Sequence, residues 1–148
     1  MPWSYEECFE KGLLRRVPPS KEKAVRSFEK STLWLKEAST TFESKAFNSA
    51  VSAAYLAMFH AARALLFAEG IREKSHFCVA RFLEFFVKNG DLEQRWVDLL
   101  DHCREMRHGE QYDLGFSAGR EDGREALKAS KVFLERIKKL MDKLGIVS

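Results

Sequence analysis

An all-α fold, an up-and-down bundle of about five helices, is what this 148-residue chain predicts. Three observations predict it. Apolar residues recur at spacings of three and four rather than two, as on helices with one buried face. Only eight glycines and three prolines occur, too few for the many turns of a strand-rich fold. Pro18-Pro19, Gly70 and Asn89-Gly90 are among them, and they divide the chain into helix-length segments. At this length roughly two thirds of the unfolded surface can be buried, enough for one core. The expected division is a short lead-in helix over residues 1–20 and a bundle over residues 21–148.

Residues 4–16 carry Tyr5, Phe9 and Leu13 on one stripe, and Pro18-Pro19 ends that helix. Ser20 caps a long second helix with Ala24, Phe28, Ser31, Leu35 and Ala38 inward, closing near Ser44. The third segment, AFNSAVSAAYLAMFHAARALLFAEG, is the most apolar and stops at Gly70, a residue suited to a left-handed C-cap. Its alanines allow close helix approach, so it is expected at the centre. Ser75 caps a fourth helix bearing Phe77, Val79, Phe82, Phe85 and Phe86, which Asn89-Gly90 terminates. Asp91 to Gln94 reads as a capping box for a fifth helix, with Trp96, Leu99, Leu100 and Cys103 inward, ending at Gly109. After a loop of composition DLGFSAGREDG, Asp122 to Glu125 caps the last helix, whose stripe is Ala126, Ala129, Phe133, Ile137, Leu140 and Leu144.

A net charge of +3 permits an anionic partner without demanding one. Cys8, Cys78 and Cys103 are odd in number, widely spaced and without a C-x-x-C pair, so neither a disulfide framework nor a zinc site is expected. The acidic N-terminus lacks the apolar run of a signal peptide, and charges interrupt the apolar stretches, so a soluble cytoplasmic protein without membrane contact is expected. No phosphate-binding glycine loop, nucleophile elbow or H-E-x-x-H motif occurs, which disfavours nucleotide kinases and the common hydrolases. No cofactor and no metal are expected.

The densest cationic group lies in REMRHGEQYD, residues 104–113. Cations gather at helix C-termini through the macrodipole, which accounts for Arg104, Arg107 and His108 without any function. The alternative is a phosphate site: two guanidinium forks near a bend at Gly109 match planar phosphate oxygens, and Tyr112 can hydrogen-bond or stack on a base. Of the other histidines, His60 in the alanine-rich helix and His76 after the Ser75 cap read as packing or surface residues. His102, Cys103 and His108 point in different directions on a helix and do not converge on a metal.

The run AFNSAVSAAYLAMFHAARALLFAEGI, then KSHFCVARFLEFFVKNG, an Arg-x4-Tyr unit and a final amphipathic helix resemble the HEPN domain, the higher eukaryote and prokaryote nucleotide-binding family. The resemblance spans roughly residues 21–144 and is strongest to small stand-alone archaeal and bacterial members. CFEKGLLRRVPPSKEKA resembles the lead-in of archaeal relatives. What the resemblance implies is a dimerising helical bundle, in many members a metal-independent ribonuclease. The family signature is an arginine, four to six residues, then a histidine. Stand-alone members pair as toxins with a minimal nucleotidyltransferase, which can modify a tyrosine just past the signature.

Carried onto this chain, Arg107 takes the arginine's place and Tyr112 stands where histidine is expected. Arg104 and His108 are separated by one residue too few, and reading Tyr112 as the modified tyrosine puts Glu110 at the histidine position. Arg95 and His102 meet the spacing, within an amphipathic helix. Metal-free RNA cleavage needs a base for the 2′-hydroxyl, an acid for the leaving oxygen and a cation for the phosphate. The implied roles are phosphate binding by Arg104 and Arg107, proton transfer by His108, and a phosphate or base contact, and a modification site, at Tyr112. The expected partners are RNA or nucleotide, a second copy of the chain and a nucleotidyltransferase. The competing expectation is a non-catalytic nucleotide-binding or docking module with a degenerate site.

Overall fold

The computed structural model describes residues 3–146, with the backbone alone at position 110. Six helices are joined by one small strand pair: α1 (Tyr5–Glu10), β1 (Leu14–Arg16), α2 (Lys21–Glu43), α3 (Phe47–Glu69), β2 (Ile71–Glu73), α4 (His76–Lys88), α5 (Gln94–Tyr112) and α6 (Arg120–Lys143). The all-α expectation holds. α2 and α3 form the principal antiparallel pair, α6 packs across both, and α4 and α5 close the other side of α3.

α3 is central because its small residues permit it. Ala50, Ala53, Ala54, Ala57, Ala61, Ala62 and Ala64 are buried around almost the whole helix, and Tyr55, Met58, Phe59, Leu65 and Leu66 fill the gaps between. It is long and apolar enough to cross a membrane by length and composition, but 72% of its most apolar window is buried inside the bundle. The final helix also follows its predicted stripe: Ala126, Ala129, Phe133, Ile137 and Leu140 are buried. Ser20 and Ser75 cap as expected, their hydroxyls accepting from Lys23 N–H at 3.1 Å and Cys78 N–H at 3.3 Å.

Four local expectations are corrected. The leading helix stops at Glu10, not Arg16: Gly12 turns the chain at φ 73°, and Leu14–Arg16 pairs antiparallel with Ile71–Glu73. Such a pairing leaves no periodic trace in three residues. The predicted capping box at Asp91 to Gln94 is absent. α5 starts two residues later, at Gln94, and Glu93 accepts instead from Trp96 Nε1 and Arg136. α5 does not end at Gly109 but continues to Tyr112, because Asp113 N–H donates to the Gly109 carbonyl at 2.9 Å and Phe116 folds back beside the glycine. A glycine inside a helix costs only about 1 kcal/mol against alanine, too little to break a helix held at both ends. α6 begins at Arg120, where the Asp122 carboxylate accepts from Gly119 N–H at 2.9 Å.

The cysteine expectation is also overturned. Cys8 and Cys78 are joined in a disulfide that ties α1 to α4, while Cys103 is free and buried, its thiol pushed up to about 12 by desolvation. The partners lie 70 residues apart, so spacing alone carried no hint of them. Closing a loop of that length contributes on the order of 4 kcal/mol in the chain-entropy account. The bridge acts with the strand pair and with Gly70, whose φ of 77° and approach to Val17 O, 2.5 Å from where a Cβ would stand, admit no side chain. Together they fix where α4 begins.

Candidate functional site

α4 begins with His76, and that placement builds the site. Its imidazole enters a cleft of about 450 Å³ whose other walls are Arg104, Glu105, Arg107, His108 and Tyr112 from the last turns of α5. Spacings of four place Arg104, His108 and Tyr112 along one side of the helix. The His108 and Tyr112 rings meet there, centroids 4.8 Å apart. The structure therefore brings together Arg104, Arg107, His108 and Tyr112. It leaves His102 on another face, paired with Glu125 at 3.0 Å, and Arg95 stacked over Trp96.

The two arginines differ in their surroundings. Arg104 Nη1 donates to Asp101 Oδ1 at 2.6 Å, with Glu105 3.6 Å from its other nitrogen. Asp101 also accepts from the buried Arg81, and both guanidiniums lie over the Phe77 ring. This turn is charge-balanced. Arg107 lies over the face of Tyr55, 5.6 Å from the ring centre, and among the described residues its buried Nε finds no hydrogen-bond acceptor and its guanidinium no carboxylate. A buried guanidinium nitrogen without an acceptor is costly unless a ligand supplies one.

His76, read from sequence as a surface or packing residue, is the neighbour in the cleft that sequence reasoning missed. Its Nδ1 lies 3.0 Å from the Tyr55 hydroxyl, and its ring stacks on Phe59 at 4.0 Å between centroids. Desolvation lowers its pKa, reinforced by Arg107 and Arg104 and opposed by Glu73, so the imidazole is neutral near pH 7. Burial raises the Tyr55 pKa, which keeps its hydroxyl protonated. The only sequence signal was Ser75, which marks His76 as the first residue of a helix. Its partners on α3 lie 17 and 21 residues upstream, beyond any local pattern. His108 and Tyr112 are exposed, Tyr112 by 68%. Among the described residues no group of three or more histidine, cysteine or carboxylate side chains converges on a metal position.

The profile of the HEPN domain matches residues 24–140. The chain belongs to the HEPN domain family. Two relatives from Methanocaldococcus jannaschii are described as candidate toxins. One is 27% identical over 121 residues, 81% of this chain and 80% of the relative. The other is 29% identical over 111 residues, 74% and 82%. A UPF0332 protein of Pyrococcus horikoshii is 35% identical over 89 residues, 60% of this chain and 61% of the relative. The matched span takes in every residue of the cleft, so this HEPN protein carries its cationic site within the family domain.

Proposed function

We propose that this HEPN protein binds RNA or a nucleotide at the cleft between α4 and the end of α5, and that it acts as a metal-independent ribonuclease toxin. The observation that carries the reading is Arg107, whose buried Nε has no acceptor among the described residues and which borders a cleft shared with two imidazoles and a phenol. A phosphate would supply that acceptor and use the fork geometry of the guanidinium. His108, exposed beside the cleft, is the candidate proton carrier, and Tyr112 a phosphate or base contact. Arg104 contributes positive charge while staying tied to Asp101. The two candidate-toxin relatives support the toxin reading. A nucleotidyltransferase partner fits the exposure of Tyr112, and membership of the HEPN family supports a homodimer.

The test is incubation of the purified protein with transfer RNA and single-stranded RNA under chelator, with Arg107→Ala in parallel and growth followed on overexpression of each. Cleavage and toxicity lost in the variant support the reading; intact RNA and equal growth overturn it.

A second reading, a non-catalytic docking module for a nucleotidyltransferase, is favoured by Tyr112 standing where the family has its histidine and by the exposure of Leu114 next to it. Such a module would hold the partner in a pull-down yet show no shift in melting temperature with nucleotide.

A further inference from the structure

We propose that His76 is the proton acceptor of this site, an imidazole from the start of α4 that takes the place of the histidine missing from the α5 signature. The assignment rests on the ribonuclease reading above. It depends on three contacts and one chemical need.

The need is set by the reaction. A metal-free cleavage begins when the 2′-hydroxyl oxygen attacks the adjacent phosphorus; its proton must leave as the new O–P bond forms. The signature position offers a phenol, Tyr112, and phenols as a class are poor bases near neutral pH. Arginine cannot accept a proton at all. His76 can, and the fold holds it ready.

Its ring is fixed at two places, stacked on Phe59 and hydrogen-bonded at Nδ1 to the Tyr55 hydroxyl 3.0 Å away. In the tautomer whose Nδ1–H donates to the Tyr55 oxygen, the lone pair is left on Nε2. A third group orienting the base is the usual arrangement for an active imidazole. Arg107 lies over that same Tyr55 ring, so the phosphate-holding cation and the base are built on one aromatic platform from α3.

The charged surroundings agree. From α3, Arg63 faces the ring, but it is occupied with Glu73 of β2 at 3.1 Å, and His60 lies beyond Phe59. From α5 come Arg107 and Arg104, which disfavour a protonated imidazole. A bound phosphate would offset those guanidiniums and let His76 hold the proton once it has been transferred. In the complete step the O2′–P bond forms and the P–O5′ bond breaks. The 2′ proton goes to His76 Nε2, and the 5′ oxygen takes a proton from His108. The products are a 2′,3′-cyclic phosphate and a 5′-hydroxyl, and solvent resets both imidazoles.

The test compares RNA cleavage by the full-length protein with that of four variants. His76→Ala should lower kcat by about 10²- to 10⁴-fold, the range of a general base, while RNA affinity stays within about twofold. Added imidazole should restore part of its rate, which no merely structural loss would allow. Tyr55→Phe should lower kcat about tenfold with the fold intact. His60→Ala, on the far side of Phe59, should cleave as the wild type does. His76→Ala cleaving at the wild-type rate, or losing RNA affinity in step with rate and gaining nothing from imidazole, overturns the assignment. A 5′-phosphate product overturns it too. If Arg107→Ala is dead while His76→Ala is active, the ribonuclease reading stands without His76. If the wild type cleaves nothing, both fall.

Discussion

Two successive turns of α5 carry the same residue type and put it to different uses. Around Asp101, two arginines from different helices share one carboxylate: Arg81 is buried, Arg104 mostly so, and Phe77 lies beneath both. One turn on, Arg107 has a tyrosine ring beneath it and, among the described residues, no carboxylate beside it. The Nε of Arg81 is as partnerless as that of Arg107; what differs is the carboxylate, which makes the first pair a fastening between helices and suits an arginine beside a cleft to an anion. The lesson is that cationic density did not separate the two turns. The carboxylate partner, present at one and absent at the other among the described residues, did.

The comparison is broken most sharply by Asp101→Ala. Removing the shared carboxylate leaves Arg81 with Glu84 alone and Arg104 with the exposed Glu105 alone, and the expected cost is about 2 kcal/mol of stability, read in urea unfolding. A loss below about 1 kcal/mol would mean that the first turn is no more structural than the second. Arg107→Ala should do the opposite: stability within about 0.5 kcal/mol of the parent, with affinity for a short RNA down about tenfold, the roughly 1.5 kcal/mol of a charged hydrogen bond. Equal unfolding midpoints with unchanged RNA binding would remove Arg107 from the site. Tyr112→Phe, at an exposed position, should leave stability unchanged and RNA affinity within about threefold. It should, however, abolish any mass gain on incubation with a nucleotidyltransferase and nucleoside triphosphates, measured on the intact protein.

The smallest expected effect concerns His60, which flanks Phe59 as His76 does but lies in a pocket with Lys23, Lys30 and Arg63 and outside the cleft. Burial first, then Arg63 and Lys30, lower its pKa to about 4. Because the folded value lies below the unfolded one near ~6.5, His60 costs nothing above pH 6.5. The unfolded chain then gains protons that the folded chain refuses, so stability falls between about pH 6.5 and 4. His60→Gln should flatten part of that acid limb in melting temperature against pH. An unchanged limb would show that His60 does not carry it.

Much of the bundle was legible because helices are written locally. The stripes of α2, α3 and α6, the caps at Ser20 and Ser75 and the left-handed stop at Gly70 each rest on residues within a few positions of one another. The resemblance to the HEPN family likewise lay in runs of consecutive residues. Gly109 misled for the same reason: its local preference is to break a helix, and only Phe116 returning beside it and the bond from Asp113 show that it does not.

What the sequence by itself determined is thus the all-α class, the order of the helices, the family and the stretch that carries the cations. The tertiary structure alone decided which cations are already spent and what stands opposite them. The Cys8–Cys78 bridge, the pairing of Leu14–Arg16 with Ile71–Glu73, and the seating of His76 on Tyr55 and Phe59 all join residues far apart in the chain. Hydrophobic periodicity reports which face of a helix is buried; it does not report which buried face meets which. The counter-charge of an arginine depends on that second choice, and so does the identity of the imidazole that shares its cleft.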